Sequence, residues 1–290
     1  MIKNYLSLVK FSHTIFAMPF AVIGFFLGLA DSSPLLEERG LRGEAKLFFL
    51  VILCMVFARS SAMAFNRWAD NKYDKENMRT KIREIPSGII SSGNALAFVI
   101  TNCILFIVTA FFINRICFFL SPVALAVILG YSYTKRFTPL CHLILGLGLS
   151  LAPLGAFLAV TGEFRLLPLL YSFVVLFWVS GFDIIYALQD EEFDRSQNLK
   201  SIPVLLGKKN ALMLSRILHL VSASIVLFAG YFAGFHLWYW IGSVLFISLL
   251  IYQHTLVKPN DLRKVNLAFF TTNGIASVVF AVFFLLELYL

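Results

Sequence analysis

Nine of the 16 acidic residues lie in two short segments of a chain that otherwise carries few charges. The polar residues of these segments are Asn66, Asp70 and Asp74 in the first, and Asp183, Tyr186, Asp190 and Asp194 in the second. A spacing of four places side chains on one face of a helix, about 6 Å apart along its axis. Crowded carboxylates repel each other and need a cation. Mg²⁺ prefers oxygen ligands and typically takes one or two carboxylates plus phosphate oxygens, so the segments predict a magnesium-diphosphate site.

The two segments repeat each other at a constant offset of 120 residues. The matched positions are Asn66 with Tyr186, Asp70 with Asp190, and Asp74 with Asp194. The stretch from Pro86 to Gly88 has a loose counterpart between Pro203 and Gly207. Internal repeats of this kind in membrane proteins typically face each other about a pseudo-twofold axis, with the binding site between them. We therefore expect both sets of carboxylates to share one central cavity.

Basic residues are interleaved with the acidic segments. They are Arg79, Arg83, Lys135, Arg136, Arg195 and Lys200. Arginine binds phosphate oxygens in a bidentate fashion and lysine supplies a point charge, so these residues are candidates for holding a diphosphate. The alternative for any one of them is a solvated side chain or a contact with lipid headgroups. That alternative is weakest for Lys135 and Arg136, which directly follow the polar stretch 131–134 at the end of an apolar span.

Arg59 is a charge inside an apolar stretch, seven residues before Asn66. Seven residues turn an ideal helix by about 700°, so the two side chains lie within about 20° of the same face. A charge within a membrane span is by default a functional-site hypothesis. We expect Arg59 to bind the carboxylate of an acceptor molecule; the alternative is a packing arginine bonded to backbone carbonyls or to Asp183.

The elements that position these residues are membrane helices. Of the 290 residues, 59% are hydrophobic and only 14% are charged, which excludes an ordinary water-soluble domain. A helix needs about 20 mostly apolar residues to cross the hydrocarbon core. Nine such stretches occur, at 12–30, 47–66, 94–113, 116–134, 140–161, 166–188, 211–233, 236–257 and 265–289. The prediction is an all-α, polytopic membrane bundle of nine helices, forming a single domain over 1–290 with motif loops at 67–93 and 189–210.

The distribution of basic residues predicts the orientation. With the N-terminus in the cytoplasm, 17 of the 24 lysines and arginines fall on the cytoplasmic side, as the positive-inside rule requires. Both motif loops then face the cytoplasm. The net charge of +8 is explained by this orientation and does not require a nucleic-acid partner.

The motif residues resemble the UbiA superfamily of intramembrane prenyltransferases. The segment 66–74 matches the family pattern NxxxDxxxD, and 183–194 matches DxxYAxxDxxxD. The stretch 79–88 is similar to RTxxRPxPSG, with two departures nearby: Glu84 replaces a proline, and Asn198 stands where glycine is common. Asparagine tolerates the left-handed backbone that glycine would adopt, so the second loop should keep its shape.

The resemblance implies Mg²⁺-dependent transfer of a polyprenyl group from its diphosphate to an aromatic hydroxy acid, in a prokaryotic plasma (inner) membrane. The acceptor most like that of the matching subgroup is 4-hydroxybenzoate. The implied metal ligands are Asp70, Asp74, Asp190, Asp194 and Asn66. The implied diphosphate contacts are Lys135, Arg136, Arg79, Arg83 and Lys200. The implied acceptor contacts are Arg59, Asp183 and Tyr186, and the implied catalytic residues are Asp183, Tyr186 and Asn66.

Other functions are compatible with parts of the pattern. A dihydroxynaphthoate prenyltransferase of menaquinone synthesis would keep the aspartates and also use a carboxylated ring. Haem farnesylation and chlorophyll-type phytylation fit the motifs less well. A cation-coupled secondary transporter also uses inverted repeats and intramembrane carboxylates, but near the membrane midplane rather than at one cytoplasmic mouth. The simplest alternative is two amphipathic loops whose acids only balance nearby bases.

Overall fold

The computed structural model describes residues 2–9, 18–31 and 33–290, and the described chain is built of helices without a β-strand. The α-helices are α1 (Ile2–Leu8), α2 (Met18–Asp31), α3 (Ser33–Ala69), α4 (Asn71–Glu76), α5 (Ser92–Ile113), α6 (Arg115–Thr134), α7 (Cys141–Thr161), α8 (Leu166–Ala187), α9 (Glu191–Ser196), α10 (Ile202–Ala233), α11 (Leu237–Leu256) and α12 (Asn273–Tyr289). A 3₁₀ turn, Leu188–Asp190, and a π-helical segment, Leu267–Thr272, complete the set. The all-α prediction is confirmed.

Eight helical segments of the described chain are long and apolar enough to cross a membrane. A ninth apolar helix, α2, has only 14 described residues, and the first residues of the predicted span 12–30 lie outside the described part of the chain, as does Lys10. The count of nine is therefore close to the structure, and the protein is an integral membrane protein. Helices α5 and α6 leave large apolar side chains exposed, among them Phe111 and Phe119, as lipid-facing surfaces require.

The two acidic segments share one local structure. The spacing of four in Asn66, Asp70 and Asp74 does not lie on one unbroken helix, because α3 ends at Ala69 and α4 begins at Asn71. Asp70 lies between them with φ −90° and ψ 7°, and Asp190 precedes α9 with φ −100° and ψ 1°. Asp70 follows α3 directly, Asp190 ends the 3₁₀ turn that follows α8, and each precedes a six-residue helix. The 120-residue repeat seen in the sequence is a repeated structure.

The second motif interval is more helical than predicted. The expected loop 189–210 contains α9 and a short helical stretch from Ile202, which a kink at Gly207 (φ 73°) separates from the rest of α10. Ser201 caps α10 by accepting a hydrogen bond from the Val204 N–H, a favourable N-cap arrangement that apolar periodicity alone does not reveal. Asn198 has φ 56°, so the expectation that asparagine replaces glycine in a left-handed position is confirmed.

Helix α8 lies at the centre of the packing between α7 and α10. Glycines permit both close approaches: a Cβ at Gly146 would lie 2.4 Å from the Leu176 carbonyl oxygen, and one at Gly181 would lie 2.3 Å from the His219 ring. Trp178 on α8 is fully buried and donates a hydrogen bond to Asn273 on α12. Asp183 is therefore carried by a helix held on several sides.

Candidate active site

One large cavity of about 1,010 Å³ is enclosed mainly by α3, α6, α7 and α8. Its apolar lining includes Val51, Met55, Leu120, Val127 and Leu149. Along α3, these apolar positions give way to polar ones towards Asp70, where α3 ends. The cavity is thus an apolar chamber with a charged mouth, as large as the larger pockets that hold small ligands in proteins.

Each of the four predicted metal-binding aspartates is paired with a base at this mouth. The shortest N···O distances are 3.5 Å for Arg136 with Asp70, 2.9 Å for Arg83 with Asp74, 2.6 Å for Arg79 with Asp190, and 2.8 Å for Lys135 with Asp194. The Arg79–Asp190 pair joins residues of the two repeats that are 111 positions apart. The eight predicted residues are therefore brought together in one site.

The burial of these groups differs and affects their protonation. Asp74 and Asp194 are buried, at 6% and 2% exposure. Burial, together with the nearby charge of Asp74, raises the pKa of the Asp70 carboxyl to about 6. Burial lowers the pKa of the Lys135 ammonium, but Asp194 outweighs this effect and leaves that pKa above its ordinary value. The mouth therefore holds a crowded set of carboxylates that positive charge stabilises.

The donor set fits a hard cation that shares its ligands with a substrate. Among the described residues, no three histidine, cysteine, aspartate or glutamate side chains are grouped closely enough to hold a metal ion by themselves. Mg²⁺ is usually bound through one or two carboxylates, several waters and substrate phosphate oxygens. Asn66 donates a hydrogen bond to Asp70 at 3.2 Å and so orients that carboxylate.

The comparisons with known proteins agree with this architecture. The model of the UbiA prenyltransferase family matches residues 17–275. The chain belongs to the UbiA prenyltransferase family. Among its relatives, the 4-hydroxybenzoate octaprenyltransferase of Nitrosomonas eutropha is 29% identical over 82% of this chain and 83% of its own. The resemblance inferred from the motifs is confirmed, and the protein is a prenyltransferase.

Solved structures show the same fold. The apo structure of a UbiA homolog from Aeropyrum pernix K1 has a TM-score of 0.81 and 30% identity, covering 95% of this chain and 98% of that one. A UbiA homolog from Archaeoglobus fulgidus, bound to GPP and Mg²⁺, has a TM-score of 0.72 and 21% identity, with 99% and 100% coverage.

In this UbiA prenyltransferase, Arg59 lines the cavity about 10 Å deeper along α3 than Asn66. Its Nε atom is buried and makes no hydrogen bond with any described residue. The described structure shows no ion pair between Arg59 and Asp183, so the two are not partners as the packing alternative supposed. A guanidinium in an apolar chamber with an unsatisfied donor is suited to an anionic group of a ligand.

Two of the basic residues singled out in the sequence do not line the cavity. Lys200 donates from its ammonium to the Phe137 carbonyl, while its backbone N–H donates to the Lys135 carbonyl at 2.6 Å. Lys200 therefore supports the segment that carries Lys135 rather than pointing into the mouth. Arg195 pairs with Glu191 on the surface of α9.

Tyr186 and Asp183 lie where the sequence placed them, on the cavity wall. The Tyr186 hydroxyl accepts a hydrogen bond from Arg79 at 3.0 Å. Asp183 has a partner that sequence analysis missed: His142 on α7, whose Nδ1 lies 2.7 Å from Asp183 Oδ2. A lone histidine at the start of an apolar helix has no spacing relation to the aspartate motifs. The only signal for His142 in the sequence is that it closely follows the basic residues Lys135 and Arg136.

Glu84, the departure from the family pattern, is part of a buried network. It forms an ion pair with Arg67 and accepts a hydrogen bond from Ser7 at 2.5 Å. Arg67 is one of the 17 basic residues on the predicted cytoplasmic side, and it is buried, at 3% exposure. The network joins α1 and α3 to the loop that carries Arg79 and Arg83. Where the family pattern has a proline, this chain therefore fixes the loop by the ion pair and hydrogen bond of Glu84.

Proposed function

We propose that the protein transfers a polyprenyl group from polyprenyl diphosphate to the ring of 4-hydroxybenzoate or a related aromatic acid, with Mg²⁺, in quinone synthesis. The observation that carries this proposal is the single cavity that combines four aspartate–base pairs at its mouth with an apolar chamber and Arg59 inside it. This one cavity offers a place for the diphosphate at its mouth and for the hydrocarbon tail and the carboxylated ring inside it.

The chemistry assigns a distinct task to each part of the cavity. Arg79, Arg83, Lys135 and Arg136 bind the diphosphate and stabilise the charge that builds on it as the allylic C–O bond breaks and its electron pair leaves with the diphosphate. Asp70, Asp74, Asp190 and Asp194 would hold Mg²⁺, which would supply Lewis-acid stabilisation of that same charge. The apolar chamber holds the tail and excludes water from the allylic cation.

The acceptor completes the reaction. Its electron-rich ring forms a bond to the allylic carbon, and the ring proton passes to Asp183 or to the departing diphosphate. Arg59 binds the acceptor's carboxylate, which places the ring between the diphosphate and the chamber. Support comes from the names of relatives that match over four fifths of this chain, and from the homologous structure solved with GPP and Mg²⁺.

We also propose a prokaryotic inner-membrane location with the N-terminus and the charged mouth on the cytoplasmic side. This follows from the excess of lysine and arginine beside the motif segments. The diphosphate group of the substrate and the soluble aromatic acid then reach the mouth from the cytoplasm, while the polyprenyl tail of the same substrate enters from the lipid.

The deciding experiment measures product mass. Purified protein in lipid nanodiscs is given Mg²⁺, a polyprenyl diphosphate and equal amounts of 4-hydroxybenzoate and 1,4-dihydroxy-2-naphthoate. We expect prenylated 4-hydroxybenzoate to dominate and EDTA to abolish it. A dominant naphthoate product would identify dihydroxynaphthoate as the acceptor instead. Cation-driven flux in proteoliposomes without diphosphate release would overturn the proposed function in favour of a transporter.

The role of Arg59 has its own test within the same assay. Arg59→Gln should raise the KM for 4-hydroxybenzoate by about 10- to 100-fold, since a hydrogen bond to a charged group contributes about 1.5–3 kcal/mol. The KM for the polyprenyl diphosphate should stay unchanged. Arg263→Gln, at a side chain that is 88% exposed, is the matched control. An unchanged acceptor KM in Arg59→Gln would remove this assignment.

A further inference from the structure

The contact between His142 and Asp183 lies inside the cavity and is not explained by metal or diphosphate binding. His142 is 1% exposed and is the second residue of α7, while Asp183 lies near the end of α8. Their Nδ1···Oδ2 distance of 2.7 Å is that of a strong hydrogen bond. Both residues line the same cavity as Arg59 and Tyr186.

The second ring nitrogen of His142 determines which atom carries the proton. His142 Nε2 lies 3.3 Å from the backbone nitrogen of Ile202, the first residue of α10. A backbone N–H can only donate, and the first N–H groups of a helix lack an acceptor within the helix. Nε2 therefore accepts. Nδ1 must then carry a proton, which it donates to Asp183.

The fold holds this histidine in place. Gly146, one turn further along α7, permits the contact with α8, where a Cβ would collide with the Leu176 carbonyl. Ser201 caps α10 and so fixes the Ile202 N–H that His142 accepts from. His142 thus connects α7, α8 and α10 at the cavity wall.

We propose that His142 is a positioning residue for Asp183. It holds Oδ2 through its Nδ1–H, so that Oδ1 is directed at the acceptor ring and remains available to take the proton. This inference rests on the proposed function. In the step concerned, the ring carbon bonds to the allylic carbon, the diphosphate leaves with the C–O electron pair, and the ring C–H proton passes to Asp183.

Two substitutions at His142 separate positioning from packing. Asparagine has a nitrogen the same number of bonds from Cα as histidine Nδ1, so His142→Asn keeps a donor for Asp183, whereas His142→Leu removes it. We expect His142→Leu to lower kcat by about 10- to 100-fold, the range of one hydrogen bond to a carboxylate. The KM of the polyprenyl diphosphate should change less than about threefold, and His142→Asn should recover most of kcat, in keeping with this donor assignment.

A double-mutant cycle and a packing control complete the test. In an Asp183→Asn background, His142→Leu should cause little further loss, because the two residues act as a unit. Ser150→Ala, at a buried α7 residue that is outside the cavity lining and bonded to the Leu147 carbonyl, should keep wild-type kcat.

The outcomes are distinct. A folded His142→Leu variant with wild-type kcat, or equal losses in His142→Asn and His142→Leu, would overturn the positioning role while wild-type transfer leaves the proposed function intact. Independent, additive losses in the cycle would also overturn it. A wild-type protein that prenylates no aromatic acid would remove the proposed function itself, and this inference with it.

Discussion

Asp183 differs from the other aspartates of the cavity in its partner. Asp70, Asp74, Asp190 and Asp194 each face a lysine or arginine, whereas Asp183 faces His142, whose other ring nitrogen accepts from the Ile202 N–H. A carboxylate facing a cation is already compensated, and a bound Mg²⁺ would compensate the same carboxylate once the base contacts the diphosphate. In the proposed reaction Asp183 is the carboxylate that takes up the ring proton.

This difference predicts that substitutions of Asp183 and of the aspartates at the mouth have different effects on kcat and on diphosphate binding. Asp183→Ala should lower kcat by at least about 100-fold, the range of one general-base contribution, while the dissociation constant of polyprenyl diphosphate changes little. Asp194→Asn, the matched variant at the mouth, should weaken both, because it removes a proposed metal ligand and leaves Lys135 without its partner. Single-turnover rates and equilibrium binding measure the two quantities. An equal loss of kcat and of diphosphate binding in Asp183→Ala would instead place Asp183 among the metal ligands.

Asn198 tests a backbone effect at a single residue. Its φ of 56° is in the left-handed region, which disfavours residues other than glycine, asparagine and aspartate by about 1–2 kcal/mol. Asn198→Gly should leave the apparent Tm in detergent within about one degree, and Asn198→Val should lower it by several degrees. If the valine variant melts with the wild type, the loop relaxes without strain and the left-handed position carries no constraint.

At the scale of elements, the helix break at Asp70 and at Asp190 decides where the carboxylates point. A continuous helix would have carried Asp74 away along the axis of α3. Instead, α4 and α9 begin at the break, and Asp74 and Asp194 become buried. Both repeats have such a break, so the mouth is formed by two equivalent local structures.

The ion pair of Glu84 with Arg67 fixes the loop between α4 and α5. Removing one member of a buried pair leaves an uncompensated charge, so Glu84→Ala should lower the free energy of unfolding by about 3–5 kcal/mol. Replacing both, in Glu84→Leu with Arg67→Met, should recover most of that loss. Thermal unfolding in detergent compares the variants, with Glu192→Ala, at a side chain 93% exposed, as control. A double variant no more stable than Glu84→Ala would show that the network acts through Ser7 and α1 instead.

At the scale of the whole molecule, the charged mouth and the link between α7 and α8 lie at opposite ends of the bundle. Helix α8 has 22 residues and spans about 33 Å, comparable to the hydrocarbon core, with Arg165 before its start and Asp183 near its end. The excess of basic residues at the mouth supports the proposed orientation of the bundle, with the mouth on the cytoplasmic side.

Labelling measures this orientation. In a variant without the four native cysteines, Glu192→Cys should react with a membrane-impermeant maleimide only from the cytoplasmic side. Glu163→Cys, at a side chain 62% exposed between α7 and α8, should react only from the other side. The reverse pattern would invert the proposed topology and separate the mouth from cytoplasmic substrate.

The sequence alone determined the membrane bundle, the repeat and the residues of the mouth, because apolar length and the spacing of four are local properties of a helix. It also determined the role of Asn198, since a left-handed preference belongs to one residue. Only the tertiary structure decided which base faces which aspartate, and that Lys200 supports the mouth from outside. It alone decided that Glu84 has Arg67 as partner and that His142 holds Asp183. These contacts join residues from nine to 111 positions apart, on helices and on the segments between them. No local pattern encodes the distance between two packed segments.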